Sequence, residues 1–133
     1  MKTTLINISA VTLLLCGFMT SSIAQTEGTS KALFPGGDKA LVQFIENNLK
    51  YPEVAQKQKW EGKTLVAFTV NEDGTLTNVR VLKSSFVPLD AEAMRIVKLM
   101  PKWTPAMENG IPKKEMVVLP VNFDMKTMKN IMY

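Results

Sequence analysis

An alternating run of residues that ends in a turn sequence constrains the fold of this chain more than any other feature. In residues 64–70, Val66, Phe68 and Val70 lie on one face of an extended chain, and Leu65, Ala67 and Thr69 lie on the other. This period of two predicts a β-strand with a buried face. The next four residues, Asn71-Glu72-Asp73-Gly74, are typical of a turn because glycine adopts positive φ without strain. The chain is therefore predicted to fold back here as a β-hairpin.

The second strand of this hairpin is predicted over about residues 75–83. Its apolar residues Leu76 and Val79 have opposite parity, so they cannot share one face of a regular strand. We therefore expect a β-bulge near Thr77-Asn78.

Helices are predicted on both sides of the hairpin. Asp38 stands at an N-cap position, and an apolar stripe at helical spacing follows it, formed by Leu41, Phe44, Ile45 and Leu49. Pro52 ends this helix at or before Tyr51 and can open a short helical turn of its own. A second helix is expected after Pro88, with Asp90 and Glu92 in its first turn and an apolar face made by Leu89, Ala93, Ile96 and Met100.

The last strand completes the predicted fold. Asn109-Gly110 should turn the chain into a strand over about residues 114–123, where core-facing and outward residues alternate. The element order is then helix, strand, strand, helix, strand. Three strands with two helices packed on one face form a two-layer α+β domain with a three-stranded antiparallel sheet.

Residues 1–24 have the features of a signal peptide. Lys2 precedes an apolar stretch, and Ser22-Ile23-Ala24 places small residues before a cleavage position. The stretch is interrupted by polar residues and is shorter than the roughly 20 apolar residues that span a bilayer. Cleavage and a periplasmic location are therefore expected over an uncleaved membrane anchor. Lipid attachment at Cys16 stays open, although Leu15 stands where lipoprotein signals carry a small residue.

The rest of the chain is predicted to divide into three parts. Residues 25–33 are polar and expected to be flexible, residues 34–124 form one domain, and residues 125–133 are a tail to which no structure is assigned. A chain of this length suffices for one domain and is too short for two.

The composition argues against several classes of function. The chain has no histidine, and its single cysteine is Cys16, so the predicted domain lacks the usual general base and the commonest metal ligand. Its 16 Lys and Arg, of which Lys2 lies in the predicted signal, only slightly exceed its 12 Asp and Glu and form no basic cluster. We therefore predict no catalytic residues, no cofactor, no metal and no nucleic-acid partner.

A series of short motifs runs through residues 34–124. In order, these motifs are Phe34-Pro35-Gly36-Gly37, Tyr51-Pro52, Glu61-Gly62, Asp73-Gly74, Val79-x-Val81, Leu89-Asp90-x-Glu92-Ala93, Pro101-Lys102-Trp103-x-Pro105 and Leu119-Pro120-Val121-Asn122-Phe123. No single motif is specific, but the ordered set resembles the TonB C-terminal domain family.

The resemblance implies a protein partner. In this family, the domain captures a short extended segment of outer-membrane TonB-dependent transporters, which pairs with the last strand of the domain. The resemblance thus implies a binding edge formed by Met116, Val117, Val118, Leu119, Pro120, Val121 and Asn122. Asn48, Tyr51 and Pro52 lie where the family's receptor-contacting region begins, although Tyr51-Pro52 is favoured as a packing and helix-ending element.

Other partners stay open at this point. The partner could be another envelope protein, the same edge could pair two copies of the chain as a homodimer, and the mild positive charge could favour contact with peptidoglycan. Residues 25–33 contain no proline-rich run, so the sequence supports binding better than the transmission of force for energy-coupled transport.

Overall fold

The computed structural model describes residues 28–126. Its elements are helices α1 (Asp38–Asn48), α2 (Glu53–Lys57) and α3 (Val87–Leu99), and strands β1 (Gly62–Val70), β2 (Leu76–Lys83), β3 (Ala106–Glu108), β4 (Ile111–Lys113) and β5 (Glu115–Phe123). The predicted signal segment, with Cys16, and residues 127–133 of the predicted tail lie outside the described residues.

The main sheet has three antiparallel strands in the order β2-β1-β5, so β1 is central and β5 forms one edge. The helices supply the second layer, and the predicted α+β class is confirmed. Every second residue of β1 faces that layer, and Val66, Phe68 and Val70 are completely buried there. Leu89 and Ile96 of α3 are equally buried against them. Burying such a side chain contributes about 1.5–3 kcal/mol, so this shared core holds α3 on the sheet.

Aromatic contacts attach α1 to the same core. The ring of Phe44 lies 5.5 Å from that of Phe34, and Phe34 packs edge-on against Trp103 at 5.7 Å. Trp103 in turn packs against Phe68 of β1 at 5.2 Å. The interpretation of Trp103 as a core anchor is confirmed, because only 6% of its surface is exposed.

The hairpin between β1 and β2 is confirmed, together with its bulge. Ala67 pairs with Arg80, whereas Thr69 pairs with Thr77, so β2 holds an extra residue between these two pairs. Asn78 lies at this point with φ of 56°, a left-handed conformation that asparagine tolerates better than most residues.

Two predictions about the helix starts are wrong. Asp38 is the first residue of α1, and the N-cap is Gly37, whose φ is 88°. Pro88 lies inside the first turn of α3 instead of before it, because the first N–H groups of a helix have no partner within the helix. Glu92 consequently lies in the second turn.

The prediction of a flexible segment over residues 25–33 is wrong for the part that the structure describes. Backbone hydrogen bonds of 2.8–3.0 Å join Ser30 to Met107 and Leu33 to Thr104 in both directions. Ala32 is buried, and its N–H donates to a carboxylate oxygen of Glu115 at 2.6 Å. A short hairpin of β3 and β4, which was not predicted, supplies the edge for this pairing, and Asn109-Gly110 is its turn.

Candidate partner-binding edge

Strand β5 lies at an edge of the sheet and is regular along its whole length. Nine consecutive residues of β5 pair with β1, from Glu115 opposite Val70 to Phe123 opposite Gly62, without a bulge. Within residues 28–126, no other strand pairs with β5. The seven residues that the resemblance implied as a binding edge, 116–122, therefore lie together on this edge strand.

The direction of the backbone groups along β5 follows from one residue. Pro120 stands opposite Leu65 and has no N–H, so it occupies a position whose backbone groups point away from β1. This direction alternates along a strand. The N–H groups of Met116, Val118 and Asn122 consequently point away from β1 as well. We call these groups, with the carbonyl groups of the same three residues and of Pro120, the free edge.

The side chains of Met116 and Val118 lie on the sheet face opposite the helices. Met116 is 56% exposed and Val118 42% exposed, whereas the intervening Leu119 and Val121 are buried on the helix side. The Arg80 guanidinium reaches across the outer face from β2, with 3.2 Å between its Nη2 and the Sδ of Met116. A strand added to the free edge would thus meet apolar side chains on this face.

A groove runs along the other side of the free edge, between α1 and β5. It has a volume of about 250 Å³ and is lined by Val42, Ile45, Glu46, Leu49, Pro120 and Asn122. Sequence reasoning missed its helical wall, because Val42 lies outside the apolar stripe assigned to this helix. The signal that could have revealed the wall is the spacing of Val42, Ile45 and Leu49, three and four residues apart.

The candidate contact residues at the end of α1 lie near one end of β5. Tyr51 is buried, its ring packs edge-on against Phe123 at 5.8 Å, and its hydroxyl donates to the carbonyl of Trp60. Burial, together with the negative charges of Glu61 and Asp124, raises the pKa of the Tyr51 phenol, so the hydroxyl keeps its proton as a donor. The structure therefore gives this ring a packing role.

The other two candidate contacts differ in their surroundings. The side-chain amide of Asn48 donates to the carbonyl of Phe44 at 2.7 Å, and Pro52 is half-buried as the N-cap of α2. Neither residue lines the groove, although their neighbour Leu49 does.

A polar cluster fixes the end of α1 against α3. Glu92 accepts hydrogen bonds from the backbone N–H of Lys50 at 2.8 Å and from two nitrogens of Arg95 at 2.8 and 2.5 Å. Arg95 also donates to the carbonyl of Asn48 at 2.7 Å. These bonds hold the carboxyl end of α1, and with it one end of the groove.

The chain that follows β5 turns away from the free edge. The N–H of Met125 donates to a carboxylate oxygen of Glu61 at 2.9 Å, and Met125 packs against the core. Glu61 precedes β1, which lies on the paired side of β5. The described part of the predicted tail, residues 125–126, therefore leaves the free edge uncovered.

The described residues lack two further kinds of feature. No group of three or more Asp or Glu side chains in this part of the chain is placed to hold a metal ion. Among the described helices, none has the length and apolar character needed to cross a membrane.

Comparison with known proteins agrees with this architecture. The family described as the C-terminal part of the Gram-negative bacterial TonB protein matches residues 47–125. Two proteins named TonB, from two strains of Helicobacter pylori, are 31% and 32% identical to this chain over 102 and 92 residues, covering 73% and 62% of it. The chain spans only about a third of their length, 34% and 33%.

A solved structure supports the same assignment. The NMR solution structure of the Helicobacter pylori TonB C-terminal domain has a TM-score of 0.52 and 27% identity, over 66% of this chain and 92% of that one. The family match alone, over residues 47–125, spans more than half of the 133 residues. This protein belongs to the TonB C-terminal domain family.

Proposed function

We propose that this protein binds an extended segment of a TonB-dependent outer-membrane transporter, or of a related envelope protein, as a fourth strand on β5. The observation that carries the proposal is the regular edge strand with its outward row of N–H and C=O groups. Unpaired groups of this kind are a template for β-strand addition. Membership of the TonB family supports a transporter as the partner.

The opposite edge of the sheet is less suited to such pairing. Strand β2 has two irregularities in its register with β1, one of them at Asn78 with its positive φ. Bulges of this kind twist an edge and interrupt its hydrogen-bonding row. Charged residues, Arg80 and Lys83, also interrupt the surface of β2. These differences favour β5 as the binding strand.

The free edge supports weak and reversible binding. It offers three N–H and four C=O groups, and each backbone hydrogen bond contributes about 0.5–1.5 kcal/mol net. Ordering a free peptide costs several kcal/mol. Seven such bonds contribute at most about 10 kcal/mol, so after the ordering cost the dissociation constant is no lower than about micromolar, which suits a contact that must be released.

The proposal also covers where the protein is located in the cell and whether it is an enzyme. We infer a periplasmic binding protein without enzymatic activity, exported by the predicted signal segment, residues 1–24, that supports energy-coupled transport. The absence of histidine from the chain supports the non-enzymatic role, since the most common general base is lacking.

The test is an NMR titration of the purified protein with peptides from the periplasmic segments of TonB-dependent transporters. Amide signals of residues 116–122 should shift, and those of β2 should shift little. Val118→Pro should weaken binding about 5- to 30-fold, because it removes one free-edge N–H worth about 1–2 kcal/mol when its partner is left unpaired. The domain should still fold, since that N–H points away from β1.

Two variants make the comparison specific. Val118→Ala keeps the N–H while it shortens the same side chain, so it should bind within about threefold of the unchanged protein. Val117→Pro removes an N–H that faces β1 and should destabilise the fold itself. The proposal is wrong if no peptide shifts the β5 amides at millimolar concentration, or if Val118→Pro binds as well as Val118→Ala.

Self-pairing of two β5 strands is the competing outcome of the same experiment. In that case the β5 amides would shift with protein concentration in the absence of peptide, and sedimentation would show a dimer.

A further inference from the structure

The groove between α1 and β5 lies directly beside the free edge. Pro120 and Asn122 contribute to both, while the remaining lining residues come from α1 and its C-cap. We propose that this groove is a side-chain pocket that selects an aliphatic residue of the added strand, with a lysine or arginine two residues away on the same face. The inference rests on the proposed strand pairing and specifies which segments the edge would accept.

The geometry of strand addition directs one set of partner side chains into the groove. Side chains of residues that stand opposite each other in an antiparallel pair lie on the same face of the sheet. Partner residues opposite Leu119 and Val121 would therefore project to the helix side, because both of these β5 residues are buried there. Beyond β5 on that side lie Val42 and Ile45 of α1, which leave the groove as space between helix and strand.

The lining of the groove favours an aliphatic side chain. Val42, Ile45 and Leu49 present apolar surface, and Val42 is 54% exposed although it is a large apolar residue. An inserted leucine, isoleucine or valine would cover this surface, and removal of its apolar surface from water would favour binding. The volume of about 250 Å³ is large enough to accept one.

The charge at the rim favours a neighbouring cation. Glu46 lines the groove, and its side chain is exposed. No described residue forms an ion pair with Glu46. A partner lysine or arginine two residues from the aliphatic residue would share its face of the strand and lie close to this carboxylate. Exposed ion pairs contribute little because water and salt screen them, so the charge adjusts the choice of partner while the aliphatic residue contributes more to binding.

Pro120 adds a restraint on register. Because it has no N–H, the partner carbonyl that would face it receives no hydrogen bond from β5. The partner segment therefore gains only one backbone hydrogen bond at this point, to the Pro120 carbonyl, and a side chain in the adjacent groove adds to what fixes its alignment.

The experiment uses the transporter peptide that binds most tightly in the titration above, made in versions with alanine, lysine or glutamate at each position in turn. One position should require an aliphatic residue, with alanine weakening binding about 5- to 30-fold. Two residues from that position, lysine should bind about two- to fivefold more tightly than glutamate at low salt.

Protein variants then connect these positions to the groove. Val42→Ser should reduce the preference for the aliphatic residue over alanine, and Glu46→Lys should reverse the preference for lysine over glutamate. Glu72→Lys is the matched control, because it makes the same charge change in the turn between β1 and β2 and should leave both preferences unchanged. Both α1 substitutions are at exposed positions, so the fold should tolerate them.

The outcomes separate this inference from the proposed function. Suppose that Val118→Pro weakens peptide binding but the Val42 and Glu46 variants keep both preferences. The proposed pocket would then be wrong, and the proposed strand pairing would stand. If peptides bind tightly only after residues 1–27 or 127–133 are removed, the chain itself occupies the groove and the pocket is wrong as well. If no peptide binds the β5 edge, both proposals fall.

Discussion

Gly74 lies in the turn between β1 and β2, where its backbone faces that of Trp103. Its φ is 86°, its carbonyl accepts the N–H of Trp103 at 2.9 Å, and a Cβ atom would lie 2.2 Å from the Trp103 carbonyl oxygen. We predict that Gly74→Ala lowers the free energy of unfolding by about 2–3 kcal/mol, through backbone strain and loss of this contact. Urea denaturation measures the change.

Gly110 provides the control for that prediction. Its φ is also positive, at 77°, but among the described residues no heavy atom outside Gly110 and its two chain neighbours lies within 4 Å of the position that a Cβ would take. Gly110→Ala should therefore cost only the conformational strain, about 1 kcal/mol. Equal costs for the two substitutions would contradict the role assigned to the Trp103 contact.

The carboxyl group of Asp90 should make the stability of the fold depend on pH. Burial raises the pKa of its carboxyl, but hydrogen bonds from Ser84, Ser85 and Thr64 outweigh burial and hold the pKa below the usual value. The folded state therefore favours the charged form. This contribution to stability is complete above the unfolded-state pKa of about 3.9 and is lost as the pH falls through the lower folded-state pKa.

The measurement is the free energy of unfolding in urea between about pH 2 and pH 6. Asp90→Asn should be less stable than the unchanged protein near pH 6, and the difference should shrink as the pH falls below about 4. Ser84→Ala removes one donor and should give an intermediate profile. Parallel profiles for Asp90→Asn and the unchanged protein would show that the hydrogen bonds do not favour the charged form.

At the scale of elements, Glu92 joins α3 to the end of α1. Glu92→Ala leaves the N–H of Lys50 and the guanidinium of Arg95 without this acceptor. Because the Glu92 side chain is only 9% exposed, we expect a loss of about 2–4 kcal/mol in the free energy of unfolding. Glu92→Gln keeps an oxygen for Lys50 and should lose less. If Glu92→Ala were no more costly than an ordinary surface substitution, this role would be contradicted.

The elements that could be predicted from sequence are those with a local signal. The alternation in β1, the turn at Gly74 and the parity change in β2 are each contained in a few adjacent residues, and all three are confirmed. Strands β3 and β4 have three residues each, too few for a period to show. The pairing of Ser30 with Met107 depends on contact between distant parts of the chain, so polar composition alone predicted flexibility there.

One part of the candidate site also has a local sequence signal, and the other part depends on contacts between distant residues. Pro120 within an alternating run is a local mark of an edge strand, and the structure places it on the edge. The wall of the groove combines Val42 and Glu46 of α1 with β5, which is the last strand of the described chain. The packing of Phe44 and Phe34 onto Trp103 is what attaches α1 to the core beside that strand, and no local pattern reveals such a contact.

At the scale of the whole molecule, the fold makes the two sides of β5 different. One set of its N–H groups bonds to β1, in the middle of the sheet, and the other set forms the free edge. Hydrogen exchange reads this difference directly, since a bonded amide exchanges only when the structure opens. In the protein alone, the amides of Val117, Leu119 and Val121 should be protected, while those of Met116, Val118 and Asn122 exchange rapidly.

Adding a transporter peptide should change only one of these sets. The amides of Met116, Val118 and Asn122 should slow as they acquire partners, and the already protected amides should change by no more than the gain in overall stability. Uniform protection of residues 116–122 in the protein alone would mean that another part of the chain already covers this edge. A peptide that binds without slowing those three amides would be docking elsewhere, and the pairing proposed for β5 would then be wrong.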